Sequence, residues 1–301
     1  MRNRFMDLLA TFAMMLAFSA VTFAQTYGTK GYSPGAWKPE ELPKDLSKPK
    51  PYNSHDFGGV WSSPTRAGYF ERHALNDKWL DIKDKSIPDQ MRSQTYPPPM
   101  TDWAKAKFEA TKPSYGPRSV PPGLGNDDVS TCDPMGYPRD LYEANLRPFE
   151  IVQASDRLLI HMQYHDIWRT VWTDGRGLPK DPDAAWMGYS VGKWADDSTL
   201  VVQTVGMMPE DRVWLDITGR PVSDAVRVEE KFHRVDRDHL ELTVRVDDPK
   251  MYTKPWVAMD KFPMKLQDPH TDVMEMYCSP SELEKYNRLI GNAASGLDNR
   301  Q

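Results

Sequence analysis

Glu230 sits where a charge is out of place. Val226, Val228 and Phe232 alternate with Arg227, Glu229 and Lys231, and on an extended strand alternate side chains face opposite ways. Glu230 therefore shares the apolar face. Arg169 lies the same way between Ile167 and Val171, and Glu275 between Val273 and Tyr277. An isolated buried charge is costly, so these groups pair or line a wet cavity. The reading is an interior Arg169–Glu230 pair, with Glu275 as a further neighbour. Two roles weigh equally: an ion pair that fixes strand register, and a polar anchor for a ligand. Burial also raises the pKa of a carboxyl group, which makes Glu230 or Glu275 a candidate general acid.

Other spacings carry less. Gly188-Tyr189-Ser190-Val191-Gly192 spells the G-x-S-x-G of a nucleophile elbow, but that device needs a strand, a turn and then a helix. Turn residues and another strand follow instead, so the plainer reading is a strand with small residues where another group packs closely. Ser190 and Lys193 spell S-x-x-K, which meets on a helix and points to opposite faces on a strand. His161 and His165 have a helical metal-binding spacing, yet they fall on a strand and its turn, and no third ligand is suitably spaced. No metal and no cofactor are expected. His165-Asp166 is a candidate acid–base pair at a barrel mouth, set against a turn with a solvated imidazole. Asp174, before Gly175, is a turn residue first and a second candidate at the mouth. Trp168, Trp172, Trp186, Trp194, Trp214 and Trp256 crowd the second half of the chain. Core packing is their default, and rings with a few polar groups also suit a small apolar or aromatic ligand. The expected lining is Arg169, Glu230, Glu275, Trp172, Trp186 and Tyr189.

Strands must position these groups. From Phe149 onward, segments of five to nine residues are separated by turn chemistry, with strands expected near 149–153, 157–164, 167–173, 187–194, 199–205, 225–235, 239–247, 256–266 and 273–278. Short links such as Ala154-Ser155-Asp156 and Asp236-Arg237-Asp238 join antiparallel neighbours. Leu240, Leu242, Val244 and Val246 alternate with Glu241, Thr243, Arg245 and Asp247, giving one dry face and one wet face. A flat meander would leave two bare edges, and closure into a barrel removes them. An early strand at Gly59-Val60-Trp61 is available for that closure. One helix is expected after the cap Thr101, stopped by Pro113. A short C-terminal helix follows Ser279, with Pro280 in its first turn and Gly291 at its end.

Composition bounds the rest. The chain has 301 residues, a net charge of −5, 26 prolines and 10 tryptophans. Without a basic block it lacks the footprint of a nucleic-acid binder, and so many prolines exclude a helical bundle. Residues 1–24 read as a signal peptide: Arg2 and Arg4, an apolar run over 8–18, then Thr22-Phe23-Ala24 with cleavage after Ala24. No integral membrane segment is expected after cleavage. Residues 25–55 read as a proline-rich extended arm. Residues 56–291 form one β-barrel domain with an irregular insertion over 62–148, and 292–301 are a tail. The expected address is periplasmic or secreted, where Cys132 and Cys278 are favoured as a disulfide over two separate buried thiols.

Two resemblances follow from particular residues. Gly59-Val60-Trp61 resembles the G-x-W of the first strand of lipocalin-like, calycin-type barrels. Cys132 to Arg139, Pro148 to Gln153, Thr173 to Arg176, Gly188 to Trp194 and Asp247 to Trp256 look like stretches of a family of secreted soil-bacterial proteins without assigned activity. The resemblance implies secretion and one β-rich domain, and it supplies no catalytic residues.

The expected architecture is all-β: an antiparallel up-and-down, lipocalin-like barrel with a proline-rich N-terminal extension and a short C-terminal helix. The first functional expectation is binding of a small, mostly apolar or aromatic molecule in the barrel interior. The second is a hydrolase or a hydratase/isomerase using a buried carboxylate in that cavity, with Glu230 or Glu275 as acid and His165 and Asp174 near the mouth. The third is a filled barrel that binds a partner protein, whose identity the sequence leaves open.

Overall fold

The computed structural model describes residues 52–62, 98–114, 118–142, 147–209 and 212–294. The signal peptide at 1–24, most of the arm and part of the insertion lie outside the described residues, as does most of the tail.

Nine strands close into a barrel in chain order: β1 (Gly59–Ser62), β2 (Phe149–Gln153), β3 (Arg157–Met162), β4 (Ile167–Trp172), β5 (Tyr189–Trp194), β6 (Thr199–Val205), β7 (Arg227–Arg234), β8 (His239–Asp247) and β9 (Trp256–Leu266). Closure pairs Trp61 with Leu266 and Ser62 with Lys265. All neighbours are antiparallel except β4 and β5, which pair in parallel through Val171–Ser190 and Trp172–Val191. An odd ring cannot be antiparallel throughout, so one parallel seam is required. The connection over 173–188 carries the chain back along the barrel to make it. The expected strand at 273–278 is absent, because residues 267–279 contain neither strand nor helix. The barrel is already closed by β9 and β1, so no edge is left for that segment to pair with.

Among the described residues, helices flank the barrel. In α1 (Asp102–Ala110) the Thr101 side chain accepts from the Ala104 N–H at 3.1 Å, as its cap position requires. A short α2 (Arg139–Tyr142) is buried throughout. The C-terminal α3 (Pro280–Tyr286) runs on through a π-helical turn at Asn287–Gly291 into a last turn at Asn292–Ala294, so Gly291 does not end it as expected.

The two barrel ends differ. One carries the tight links 154–156, 195–198 and 235–238. It is closed by Trp61, fully buried, whose Nε1 donates to Phe57 O at 2.9 Å. The Arg234 guanidinium lies 4.6 Å over that indole and donates to the carbonyls of Asp56, Asp236 and Arg237. Gly59 has φ +125°, and a Cβ there would stand 2.7 Å from Leu266 Cδ1, so only glycine fits the closure. The other end receives the insertion and the connections over 206–226 and 248–255. Tyr137, Leu141, Tyr142, Val213, Leu215 and Tyr252 roof it, all buried.

The interior between them is filled. Phe149, Ile160, Leu200, Val202, Phe232, Leu242, Val244, Phe262 and Met264 are each at most 1% exposed. A ligand-sized void would leave such walls accessible, so among the described residues the lumen is a packed core. Each buried Leu or Phe contributes about 1.5–3 kcal/mol.

Candidate functional site

Inside the barrel, Arg169 and Glu230 meet as the strand alternation requires, at 1% and 0% exposure. Arg169 Nη1 donates to Glu230 Oε1 at 3.0 Å and Nη2 to Oε2 at 2.5 Å. Arg169 Nε donates to Ser190 Oγ at 3.0 Å and Nη2 to Thr204 Oγ1 at 2.8 Å, and the two hydroxyls lie 3.0 Å apart. The Tyr137 ring caps the guanidinium at 4.0 Å. Burial works against the guanidinium charge, but Glu230 and Tyr137 together more than offset it, and the Arg169 pKa rises. Burial pushes the Tyr137 phenol well above 10, with Arg169 opposing and Glu230 reinforcing. Both Glu230 oxygens accept from Arg169, and no route leads to them from solvent. This layer is a buried, enclosed ion pair.

Ser190 belongs to the same layer. It is 1% exposed on β5, with β6 rather than a helix following, so the G-x-S-x-G spelling is not an elbow. Gly188, at φ +62°, is needed because a Cβ would stand 2.7 Å from both Val205 O and Met207 Sδ. Lys193 is exposed, on the opposite face from Ser190.

The other expected lining residues lie elsewhere. Trp172 is on the outer surface, between the Arg157 and Arg176 guanidiniums at 4.1 and 3.6 Å. Asp174 is exposed and clamped by Arg176 at 2.6–3.0 Å, a hydrogen bond that holds its carboxyl below the ordinary range. Arg176 also donates to Tyr189 Oη at 3.1 Å. Trp186 is half-buried with Arg212 5.0 Å over its ring. Glu275 is exposed on the 267–279 segment and takes no part in the Arg169 layer. The alternation that placed it indoors has no strand beneath it.

A second constellation forms at the β3–β4 turn. His165 and Asp166 are successive non-glycine residues in the left-handed region, at φ +59° and +54°. Such strain persists only where its surroundings enforce it, and it clusters at functional sites. The turn swings Asp166 away from its neighbour: its Oδ1 meets His161 Nε2, and its Oδ2 accepts from the Tyr277 hydroxyl. These bonds, Tyr277 first and His161 second, hold the Asp166 carboxyl below its usual range, while the same contact raises the Tyr277 phenol. His161 is paired in register with Trp168, and their rings stack at 4.4 Å and 7°. The Trp168 indole is 50% exposed and Tyr277 63%. His165 stacks on Tyr164 at 4.3 Å, with its pKa lowered by burial and by Arg139. The expected His165–Asp166 pair is thus replaced by His161–Asp166–Tyr277.

Tyr277 reaches this turn because the next residue is tied down. Cys132 and Cys278 form a disulfide with Cα atoms 5.3 Å apart across a sequence separation of 146. That link was legible; its consequence for Tyr277 was not, since nothing in the spacing joins residues 166 and 277. Two successive polar non-glycine residues between well-marked strands were the one available signal.

Among the described residues no three His, Cys, Asp or Glu side chains could hold a metal ion, and no helix is long and apolar enough to cross a membrane. No family model, no curated protein and no solved structure matches the chain. The closed barrel is compatible with a lipocalin-like architecture; the resemblance to secreted soil-bacterial proteins gains no support from these comparisons.

Proposed function

We propose that this protein is an exported lipocalin-like barrel that binds a small aromatic or apolar molecule, and that it binds it on the rim at the β3–β4 turn rather than in the lumen. The observation that carries this reading is Trp168, a half-exposed indole backed face to face by His161. A fixed ring with one open face offers stacking area at little entropic cost. Asp166 and the Tyr277 hydroxyl stand beside it as polar groups that orient a guest. The packed lumen favours the rim over the interior. The disulfide fits an oxidising compartment, which is consistent with the leader read at 1–24.

Mass spectrometry of molecules co-purifying with protein from the bacterial periplasm tests the proposal. Trp168→Ala is expected to lose the bound molecule. The paired lumen replacement Arg169→Met with Glu230→Leu is expected to keep it. Retention by the first variant and loss by the second would return the site to the interior.

One contact favours an enzymatic reading of the same rim. Asp166 on His161 Nε2 fixes the imidazole as an oriented carboxylate–histidine pair, the geometry of a general base. On that reading His161→Gln binds the guest normally and abolishes its turnover.

A further inference from the structure

A second concavity lies on the outside of the barrel, away from the rim. Leu178, on the connection that makes the parallel seam, and Val205 at the end of β6 supply the apolar side of a cleft of about 140 Å3. The sheet supplies a charged side. On β7 and β8, Arg227 stands opposite Asp247, and Glu229 stands opposite Arg245. Gln203 of β6 is the next position along the Glu229 row, and its Nε2 donates to Glu229 Oε2 at 3.5 Å. Four corners of alternating sign result, with roughly 5 Å between cross-strand neighbours and roughly 7–8 Å along each diagonal. One diagonal carries two guanidiniums and the other two carboxylates. Charges so placed ordinarily close into ion pairs. Among the described residues, no ion pair joins any two of these four side chains.

We propose that this cleft binds a small zwitterion bearing an apolar group, the chemistry of a free aliphatic α-amino acid. Its carboxylate bridges Arg227 and Arg245. Its ammonium bridges Glu229 and Asp247, and its side chain lies on Leu178 and Val205. A dianion meets the two carboxylates and a dication the two guanidiniums, so both are rejected. A neutral apolar molecule brings no charge to meet the four corners. Because the corners face solvent, binding is weak and falls with added salt. The site shares no residue with the rim and does not depend on it.

The test follows amide chemical shifts of the full chain during separate titrations with leucine, sodium acetate and n-butylammonium chloride at constant ionic strength. Leucine is expected to move the amides of Gln203, Glu229 and Arg245 along a saturating curve. Acetate and butylammonium, each carrying half of the charge pattern, bind about fivefold more weakly. Arg245→Gln and Asp247→Asn each weaken leucine by about the same factor, while the rest of the spectrum shows that the fold is kept. Trp168→Ala leaves the leucine curve unchanged. The proposal is overturned if leucine binds no better than acetate or butylammonium, if Arg245→Gln saturates as the parent does, or if Trp168→Ala abolishes the curve.

Discussion

The lumen and the rim each combine a carboxylate, a nitrogen-bearing side chain and a tyrosine. Inside are Glu230, Arg169 and Tyr137. At the β3–β4 turn are Asp166, His161 and Tyr277. The inner set is enclosed, and the donors on Arg169 are taken up by Glu230, Ser190 and Thr204. The outer set keeps an indole and a phenol open to solvent. Residue type alone does not separate a structural ion pair from a site. What separates them is whether any face remains available once the protein has satisfied its own groups.

The largest expected effect breaks the inner set. Glu230→Ala or Arg169→Ala leaves a buried charge without a partner and is expected to cost roughly 3–5 kcal/mol in urea unfolding. Arg169→Met with Glu230→Leu restores most of that loss, because two apolar side chains need no partner. A single variant costing less than about 1 kcal/mol would remove the contrast with the rim. Next is the link that holds Tyr277. Replacing Cys132 and Cys278 by serine is expected to destabilise by about 2–5 kcal/mol. Hydrogen exchange should then show looser amides over 267–279 and unchanged protection in β7.

Trp168→Ala sharpens the comparison from the other side. It is expected to change unfolding stability by less than about 1 kcal/mol, since half of the indole is already in water, while removing the bound molecule. A smaller effect is spectroscopic. Asp166→Asn weakens the hydrogen bond to the Tyr277 phenol and removes the charge beside it, the two causes that raise it, so an ultraviolet titration should find this tyrosine ionising nearer pH 10. An unchanged phenol would mean that the rim contact does not form in solution. The smallest effect is in pH. Burial and Arg139 depress the His165 pKa below the ordinary 6.5, so its neutral form is the one the fold favours. Its contribution is complete above pH 6.5 and is lost as pH falls through the depressed value. His165→Gln should flatten the stability profile in that window and leave it unaltered at pH 8.

Much of the barrel was legible in the sequence. The strands at 149–153, 199–205, 239–247 and 256–266 have the bounds that alternation and turn residues indicate. The Arg169–Glu230 pair was legible for the same reason, since a period of two assigns each side chain to a face. Direction was not. Alternation is identical for parallel and antiparallel pairing, so the β4–β5 seam left no trace in the residues. Glu275 shows the opposite failure, where the pattern is present over 273–277 but no strand partner remains. Trp172 and Tyr189 show a third: aromatics beside arginines stack outside a barrel as readily as they fill one. The rim could not be read because its parts come from β3, a strained turn and a segment 111 residues further along.

The seam between β4 and β5 joins in only two register pairs, against six between β3 and β4. Side chains compensate on both surfaces. From within, one guanidinium rooted in β4 reaches β5, β6 and β7 in turn. From without, the Arg157–Trp172–Arg176 stack and the bond to Tyr189 lie across the same join. A cylinder with an odd number of staves must have one joint that runs against the pattern of the rest, and here side chains on both faces of the wall span it. Arg169 ties that joint to the two staves beyond it.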